Sequence, residues 1–318
     1  MRAAVVEHFG HPPRYREFEE PALFPGEVRV TVRAAALSQL VRMQAAGTHY
    51  TRTTPPFVPG TDGVGLLADG TRVYFAFPRQ PLGTMAEFVA VPAANIVPLP
   101  DDLDDVTAAA IANPGMSSWA ALTERAGFVA GETVLINGAS GASGRLAIQI
   151  AKYLGAGRVI ATARNADAEA ALRALGADGF VPLDQPVDAL TARFRRELAD
   201  GVDVVLDYLW GAPAEALLRA MPGHGHGEAA RRIRVINIGS SAGMTLSLHA
   251  AALRSSGLEL MGSGLGSLSN EALIQAKAQV LAAARPAGLR IDTSARPLSE
   301  VAGRWTEATG ARVVFTIK

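Results

Sequence analysis

The stretch VLINGASGASGRLAIQIAK, residues 134–152, runs from a short apolar segment through small residues into a segment with helical apolar periodicity. Where the strand is expected to pass into the helix, it contains the pattern Ala139-x-Gly141-x-x-Gly144. In such a turn, Gly141 lets a pyrophosphate approach the backbone, Gly144 lets helix and strand pack closely, and the helix N-terminus binds the phosphates. Because an alanine occupies the first glycine position, a βα turn without a ligand stays open as the alternative. The predicted phosphate-binding residues are Ala139, Ser140, Gly141, Ala142, Ser143 and Gly144.

The chain after residue 101 alternates strand-like and helix-like segments, which is typical of a doubly wound α/β domain with a parallel sheet. Strand-like runs such as RVIATAR and VDVVLDYL are followed by helical runs such as ADAEAALRALGA. The first 115 or so residues instead contain short Val-, Phe- and Tyr-containing runs between glycines and prolines, as in a compact β-barrel. The final run, VVFTIK, is similar in character, so we expect the C-terminus to return to the first domain.

The end of the next predicted strand indicates which nicotinamide cofactor binds. An NAD site needs an acidic residue about 20 residues after the glycines, which accepts a hydrogen bond from the ribose 2′-hydroxyl. Here that position holds Ala163, and Arg164 follows it. Arginine cannot accept from a hydroxyl but pairs with a 2′-phosphate, so the sequence predicts NADPH. The alternative is a solvated surface arginine.

Composition narrows the class of protein. The 318 residues are 49% hydrophobic and include 30 basic and 30 acidic side chains, and this neutral balance argues against nucleic acid or an acidic membrane as partner. The absence of cysteine excludes disulfides, thiolate metal sites and cysteine nucleophiles. Glu7 and His8 fall where a signal peptide needs apolar residues, and no apolar run is long enough to span a membrane. We therefore expect a cytoplasmic protein.

An ordered set of motifs extends along the whole chain: VPGTDGVG, GTRVY, GETVLINGASGASGRLAIQIAK, RVIATAR, LGAD, VDVVLDYLWG and RVINIGS. In this order the chain resembles the medium-chain dehydrogenase/reductase superfamily, and within it the zinc-independent quinone oxidoreductase branch. The resemblance implies an α/β protein with a GroES-like β-barrel catalytic domain and a doubly wound Rossmann domain. The implied bounds are residues 1–118 together with 289–318 for the catalytic domain and 119–288 for the NADPH-binding domain.

The resemblance also implies that no metal is used. Zinc-dependent relatives hold a catalytic zinc with Cys, His and Cys, whereas the matching positions here are Ser38, Thr61 and Pro114, which cannot replace that set. His224 and His226 lie in PGHGHGE, which is typical of a surface loop. Without zinc, the implied substrates are those that accept hydride readily, namely quinones or compounds with an activated C=C bond.

By the same resemblance, further residues join the cofactor site, mainly at the carboxyl ends of the strands. They are Ser117, Asp207, Tyr208, Ile238, Gly239, Ser240 and Ser263. In the first domain, the Asn and Asp of the family pattern are replaced by Ser38 and Val41, whereas its tyrosine is retained as Tyr50. The catalytic candidates are therefore Tyr50, as a hydrogen-bond or proton donor, and Ser38, as a shortened polar anchor. A pocket-wall role for Tyr50 is the alternative.

The leading hypothesis is an NADPH-dependent reductase of quinones or related electrophilic carbonyl compounds. A reductase of C=C bonds in enones, alkenals or enoyl thioesters is the alternative enzyme, and a non-catalytic NADPH-binding redox sensor is the alternative from another class. The run LELMGS is expected to form an apolar sheet edge in the cofactor domain. Pairing with a second copy would cover this edge, so we expect a homodimer.

Overall fold

A computed structural model describes residues 1–51, 53–221, 230–307 and 310–318; His224 and His226 lie outside these ranges. Within them, no helix has both the length and the apolar character needed to cross a membrane. The chain divides into two compact units. The first comprises Met1–Asn113, Ile274–Pro286 and Arg290–Lys318, and the second comprises Pro114–Leu273 and Ala287–Leu289.

The secondary structure alternates as the sequence pattern predicts, with strands dominating at the two ends of the chain and βα repeats between them. In chain order the elements are β1 (Arg2–Val5), β2 (Arg14–Glu17), β3 (Glu27–Ala36), α1 (Gln39–Ala45), β4 (Asp62–Leu66), β5 (Arg72–Ala76), β6 (Phe88–Pro92), β7 (Ile96–Pro98), α2 (Asp105–Ala120), β8 (Thr133–Asn137), α3 (Ala142–Tyr153), β9 (Arg158–Ala163), α4 (Ala168–Arg173), β10 (Gly179–Pro182), α5 (Val187–Ala199), β11 (Val204–Asp207), α6 (Gly211–Arg219), β12 (Arg232–Asn237), α7 (Ala250–Arg254), β13 (Gly257–Gly262), α8 (Asn270–Ala283), β14 (Thr293–Pro297), α9 (Val301–Arg304) and β15 (Arg312–Thr316). Short 3₁₀ turns at Ala93–Asn95 and Leu298–Glu300 and a π-helical turn at Ala121–Ala126 complete the set.

The first unit contains a mainly antiparallel sheet in the order β14-β15-β3-β4-β5-β7. Its longest strand, β3, buries Val30 and Val32 and exposes Arg29 and Thr31, which is the period-two pattern of a half-buried strand. This strand pairs antiparallel with β4, β6 and β15. Strand β15, which contains VVFT, pairs with β3, so the C-terminal segment returns to this sheet as the sequence predicts.

The second unit contains a six-stranded parallel sheet in the order β10-β9-β8-β11-β12-β13. The central strand β8 is a continuous apolar run with Val134, Leu135 and Ile136 fully buried, as expected for a strand covered on both faces. Chain order reverses at β8, and open α/β sheets bind ligands at such a reversal, beyond the carboxyl ends of the strands. The glycine-rich loop therefore lies at the ligand-binding position of this fold.

The boundaries between the units fall inside two helices, after Asn113 in α2 and after Leu273 in α8. The bounds expected from the sequence place residues 274–286 in the cofactor domain and residues 114–118 in the catalytic domain, whereas here 274–286 group with the first unit and 114–118 with the second. Within the segment 274–286, Lys277 is fully buried and donates a hydrogen bond to Asn113, which belongs to the same unit. Periodicity in a sequence does not reveal which unit a helix face packs against.

Candidate functional site

The glycine-rich loop connects the carboxyl end of β8 to the N-terminus of α3. Gly138 has φ +94°, a left-handed conformation that favours glycine, and its amide donates to the Thr162 hydroxyl at 3.0 Å. Gly141 is the N-cap of α3 and has an extended backbone. The first N–H groups of the helix have no intrahelical acceptor, so they are available to an anion.

Gly141 and Gly144 differ in what a side chain would meet. A Cβ atom built on Gly144 would lie 2.5 Å from both Ala139 Cα and the Gly138 carbonyl oxygen, so this glycine is needed for close packing of helix and loop. A Cβ atom on Gly141 would have no neighbour within 4 Å. Open space beside free helix N–H groups suits a pyrophosphate, and the residues present therefore fit a bound dinucleotide.

Three fully buried polar side chains connect the ends of β8, β9 and β11. Thr162 Oγ1 donates to Asn137 Oδ1 at 2.9 Å, and Asn137 Nδ2 donates to Asp207 Oδ1 at 2.8 Å. Because Thr162 also accepts from the Gly138 amide, this network determines where the loop leaves the sheet. Sequence reasoning did not identify Asn137 and Thr162; the available signal was a single polar residue near the end of each apolar strand.

Asp207 is held by the protein's own donors. Its carboxylate accepts from the backbone amides of Leu209 and Trp210, each at 3.1 Å, in addition to Asn137. Burial raises the pKa of Asp207 above its usual range, and the hydrogen bond from Asn137 and the two amides oppose this rise. The geometry gives Asp207 a positioning role at the strand ends, and its direct contact with a cofactor stays a prediction.

Arg164, the residue on which the prediction of NADPH rests, follows the end of β9. Ala163 closes the strand with 1% of its surface exposed, and the Arg164 side chain that follows is exposed. Within the described residues, Arg164 has no hydrogen-bond or ion-pair partner, unlike the nearby Arg158 and Arg173, which pair with Glu197 and Glu169. The Arg164 guanidinium is therefore available to an anionic ligand.

The predicted residues after β12 and β13 lie at the same edge of the sheet. The amides of Ile238 and Gly239 donate to the main-chain oxygen of Asp207 at 2.7 and 3.2 Å, and Ser240 follows them. The amide of Ser263 donates to the main-chain oxygen of the last residue of β12 at 2.9 Å. The structure thus brings the residues predicted from these two strand ends together with those of β11.

Ser117 and Tyr208, two further predicted residues of the second unit, are hydrogen bonded. The Ser117 hydroxyl donates to the Pro114 carbonyl oxygen at 2.6 Å, so Tyr208 is the donor in the 3.2 Å contact between the two hydroxyls. Burial raises the pKa of Tyr208 to about 12, although the Ser117 and Ser118 hydroxyls, which can donate to the phenolate, lower it. Tyr208 therefore remains a neutral phenol around neutral pH. Because its proton is donated to Ser117, its oxygen can only accept a hydrogen bond from a ligand.

The catalytic candidates lie in the first unit and differ in setting. Ser38 is buried, and its Oγ accepts from the Val41 amide at 3.1 Å, so it caps the N-terminus of α1. Tyr50 is 69% exposed, and its ring lies against His49 with the ring centroids 4.1 Å apart. Burial lowers the pKa of His49, so the imidazole is neutral around pH 7. Roles for Tyr50 and Ser38 in the reaction stay predictions.

Metal-ligating side chains do not cluster in the part of the chain that the structure describes, where no three of His, Asp or Glu form a candidate metal site. Thr61 and Asp62, at the start of β4, instead hydrogen-bond one another. Thr61 Oγ1 donates to Asp62 Oδ1 at 2.8 Å, and the Tyr74 hydroxyl donates to Asp62 Oδ2 at 2.9 Å.

Comparisons with known proteins extend this description. The family described as zinc-binding dehydrogenase matches residues 142–277 of the chain. Among curated proteins, the probable NADPH-dependent quinone reductase tdiC of Emericella nidulans is 30% identical, and the alignment covers 99% of each chain. A 2-methylene-furan-3-one reductase of Solanum lycopersicum is 31% identical over 59% of this chain and 50% of its own length.

Among solved structures, the quinone oxidoreductase from Thermus thermophilus, described with its NADPH complex, is 27% identical. The alignment covers 99% of this chain and 100% of that chain, with a TM-score of 0.80.

Proposed function

Because the chain belongs to the medium-chain dehydrogenase/reductase superfamily, in its quinone oxidoreductase branch, we propose that it is an NADPH-dependent reductase of quinones or related electrophilic carbonyl compounds. The observation that carries the proposal is the open space at Gly141 beside the helix N-terminus, with the exposed Arg164 following the adjacent strand. This combination fits the pyrophosphate and the 2′-phosphate of NADPH.

Different residues of the second unit are assigned to different parts of the cofactor. The amides of Ala142, Ser143 and Gly144 at the start of α3 bind the pyrophosphate, and Arg164 pairs with the 2′-phosphate. The nicotinamide half is assigned to Ser117, Tyr208, Ile238, Gly239, Ser240 and Ser263. When bound, NADPH supplies a hydride, and the protein's contribution is to orient it and its acceptor.

We propose that the reaction proceeds without zinc. The chain contains no cysteine, and the three positions that match the zinc ligands of relatives provide two hydroxyls and a proline, which do not suit Zn²⁺. The exposed phenol of Tyr50 can donate a hydrogen bond to the acceptor. The Ser38 hydroxyl retains its proton as a donor, because its oxygen accepts the Val41 amide.

A C=C reductase is the second candidate function. It is supported by the similarity to the tomato protein named 2-methylene-furan-3-one reductase, since such a substrate has an exocyclic C=C bond conjugated to a carbonyl. Quinones and enones share a carbonyl oxygen that gains negative charge during hydride transfer, so one site can suit both classes.

The two candidate functions are separated by comparing acceptors under NADPH saturation. We expect turnover with an ortho- or para-quinone to exceed turnover with a simple alkenal, as judged by kcat/KM for each acceptor. A higher kcat/KM for the alkenal would favour the C=C reductase. NADPH binding without turnover of any acceptor would contradict both and support a binding protein.

We also propose a homodimer formed through β13. This strand lies at one end of the six-stranded sheet, and Leu260 and Met261 on it are half-buried. Pairing of β13 with its two-fold copy would continue the sheet and satisfy its edge groups. Sedimentation at micromolar concentration is expected to give the mass of a dimer, and a monomer would rule this interface out. The cytoplasmic location expected from the sequence stays a prediction.

A further inference from the structure

Lys277 is a fully buried lysine in the first unit. Its Nζ donates to Asn113 Oδ1 at 2.8 Å and lies 4.8 Å from the centroid of the Phe77 ring and 5.9 Å from that of Tyr74. An ammonium has three N–H donors, and the described residues provide an acceptor for one of them. The other two lie near the aromatic rings of Phe77 and Tyr74. Burial lowers the pKa of Lys277 to about 8, while Asp62 raises it. A buried charge in such a setting is a candidate for function.

The contact with Lys277 determines how the Asn113 amide is oriented. An ammonium only donates hydrogen bonds, so the side-chain oxygen must face Nζ and the NH₂ group must face away from it. Asn113 is half-buried, and its Nδ2 has no hydrogen-bond partner among the described residues. The result is an accessible N–H donor whose other end is fixed to a buried cation.

We propose that Asn113 donates a hydrogen bond from Nδ2 to the carbonyl oxygen of the acceptor, and that Lys277 is the positioning residue behind it. The inference rests on the proposed function. When the acceptor receives a hydride, an electron pair moves onto its carbonyl oxygen, and a proton from water completes the product. A donor aimed at that oxygen stabilises the charge that develops there.

The ammonium strengthens this donor in two ways. It fixes the amide in one orientation, so no reorganisation is needed when the negative charge develops. It also withdraws electron density through the Asn113 oxygen, and such polarisation is larger in a medium of low dielectric constant.

Backbone strain supports a functional role for the same cluster. Phe77 has φ +56°, which is uncommon for a bulky residue, and its amide donates to the Thr61 main-chain oxygen at 2.8 Å. This conformation holds the ring over the Lys277 ammonium. Strained backbone of this kind persists where the surroundings enforce it, commonly at functional sites.

The charged groups around Lys277 come from several elements. Asp62 of β4 and Tyr74 of β5 face it, and burial raises the pKa of Tyr74 well above its usual range, so the phenol stays neutral. Arg312 of β15 interacts electrostatically with Asp62 and Tyr74. Arg42 of α1 is close enough to Arg312 for the two positive charges to repel each other. The positive charge of Lys277 is present below about pH 8 and is lost above it.

The test uses Asn113→Asp and Asn113→Ala in the full-length protein. Both substitutions remove the N–H₂ group, and only aspartate keeps an oxygen acceptor for the buried Lys277, so circular dichroism is used to confirm that each variant folds. We expect kcat/KM for a para-quinone to fall roughly ten- to hundredfold in both variants, mainly through kcat, as for loss of one oxyanion donor. NADPH binding, measured by its fluorescence, should stay unchanged. Asn95→Asp, at another half-buried asparagine of the same unit, serves as the control.

The possible outcomes separate the inference from the proposed function. If the wild type turns over no quinone or enone, the proposed function fails. If the wild type is active and both Asn113 variants stay within threefold of it, the inference about Asn113 is wrong. A loss in Asn113→Asp alone would mean charge repulsion rather than a missing donor and would also overturn it.

The role of Lys277 is tested by the pH dependence of kcat/KM. We expect the wild-type kcat/KM to fall as pH rises through about 8, because Lys277 then loses its proton and no longer places a positive charge next to Asn113 Oδ1. Lys277→Met should have a lower kcat/KM at pH 7 without this decrease, while circular dichroism and NADPH binding confirm that it folds. A wild-type profile without the decrease, or the same decrease in Lys277→Met, would contradict the positioning role.

Discussion

Gly141→Val is expected to weaken NADPH binding roughly 1,000-fold, equivalent to about 4 kcal/mol, while changing the free energy of unfolding by about 1 kcal/mol or less. The backbone of Gly141 is extended, with φ −75° and ψ 169°, and a Cβ atom there meets nothing within 4 Å. The backbone and the Cβ atom of a valine therefore fit at this position without strain. Its methyl groups occupy the space at the start of α3 that the pyrophosphate needs. Titration of NADPH fluorescence measures the loss.

Gly144→Val is the matched control for this experiment, because it places the same side chain one helical turn away. Here the Cβ atom would lie 2.5 Å from Ala139 Cα, so backbone must move, and we expect a loss of about 3 kcal/mol in stability. Thermal unfolding of the two variants should thus separate a binding defect from a folding defect. Normal NADPH binding by folded Gly141→Val would refute the assignment of this loop as the phosphate site.

Arg164→Asp is expected to lower the preference for NADPH over NADH several hundredfold, roughly the effect of losing two charge-assisted hydrogen bonds and gaining a repulsion. Arg164 is exposed after β9 and has no hydrogen-bond or ion-pair partner within the described residues, so its replacement breaks no described polar interaction. The new carboxylate is also next to Ala163, the position at which NAD sites carry the acidic residue that binds the ribose hydroxyls. The measurement is the ratio of kcat/KM for the two cofactors with one quinone.

Arg195→Asp makes the same change of charge at another exposed arginine of the second unit, on α5. It should leave the cofactor preference within about twofold of the wild type, because no predicted cofactor residue lies on α5 and an exposed charge is screened by salt. An unchanged preference in Arg164→Asp, or an equal change in Arg195→Asp, would mean that the 2′-phosphate is not recognised at the end of β9.

The fold was predictable because its decisive signals are local. The pattern of glycines after β8 and the alternation of strands and helices indicated the parallel sheet and the loop at its reversal. Strands β2 and β14 were missed, because RYRE and TSARP are largely polar and exposed. They take strand conformation through pairing with β1 and β15, and such pairing is not recorded in a residue's own hydrophobicity.

The candidate site was predictable only where a residue type implies its ligand. Glycines and an arginine at set positions indicate phosphate groups, so the sequence predicts Gly141 and Arg164 as cofactor-binding residues. Asn137 and Thr162 bind each other and Asp207 across three strands, and the order of residues along the chain does not reveal such contacts. Asn113 and Lys277 are separated by 164 positions, and the order of residues along the chain does not reveal that they contact each other.

The central claim is that this protein transfers hydride from NADPH to a quinone. The most direct test mixes the protein anaerobically with NADPH and one equivalent of a para-quinone and follows a single turnover, with NADPH deuterated at the transferred position alongside. We predict stoichiometric oxidation of NADPH, hydroquinone as the product, and a slower rate with the deuterated cofactor. Tight binding of NADPH with no oxidation by the quinone would contradict the account.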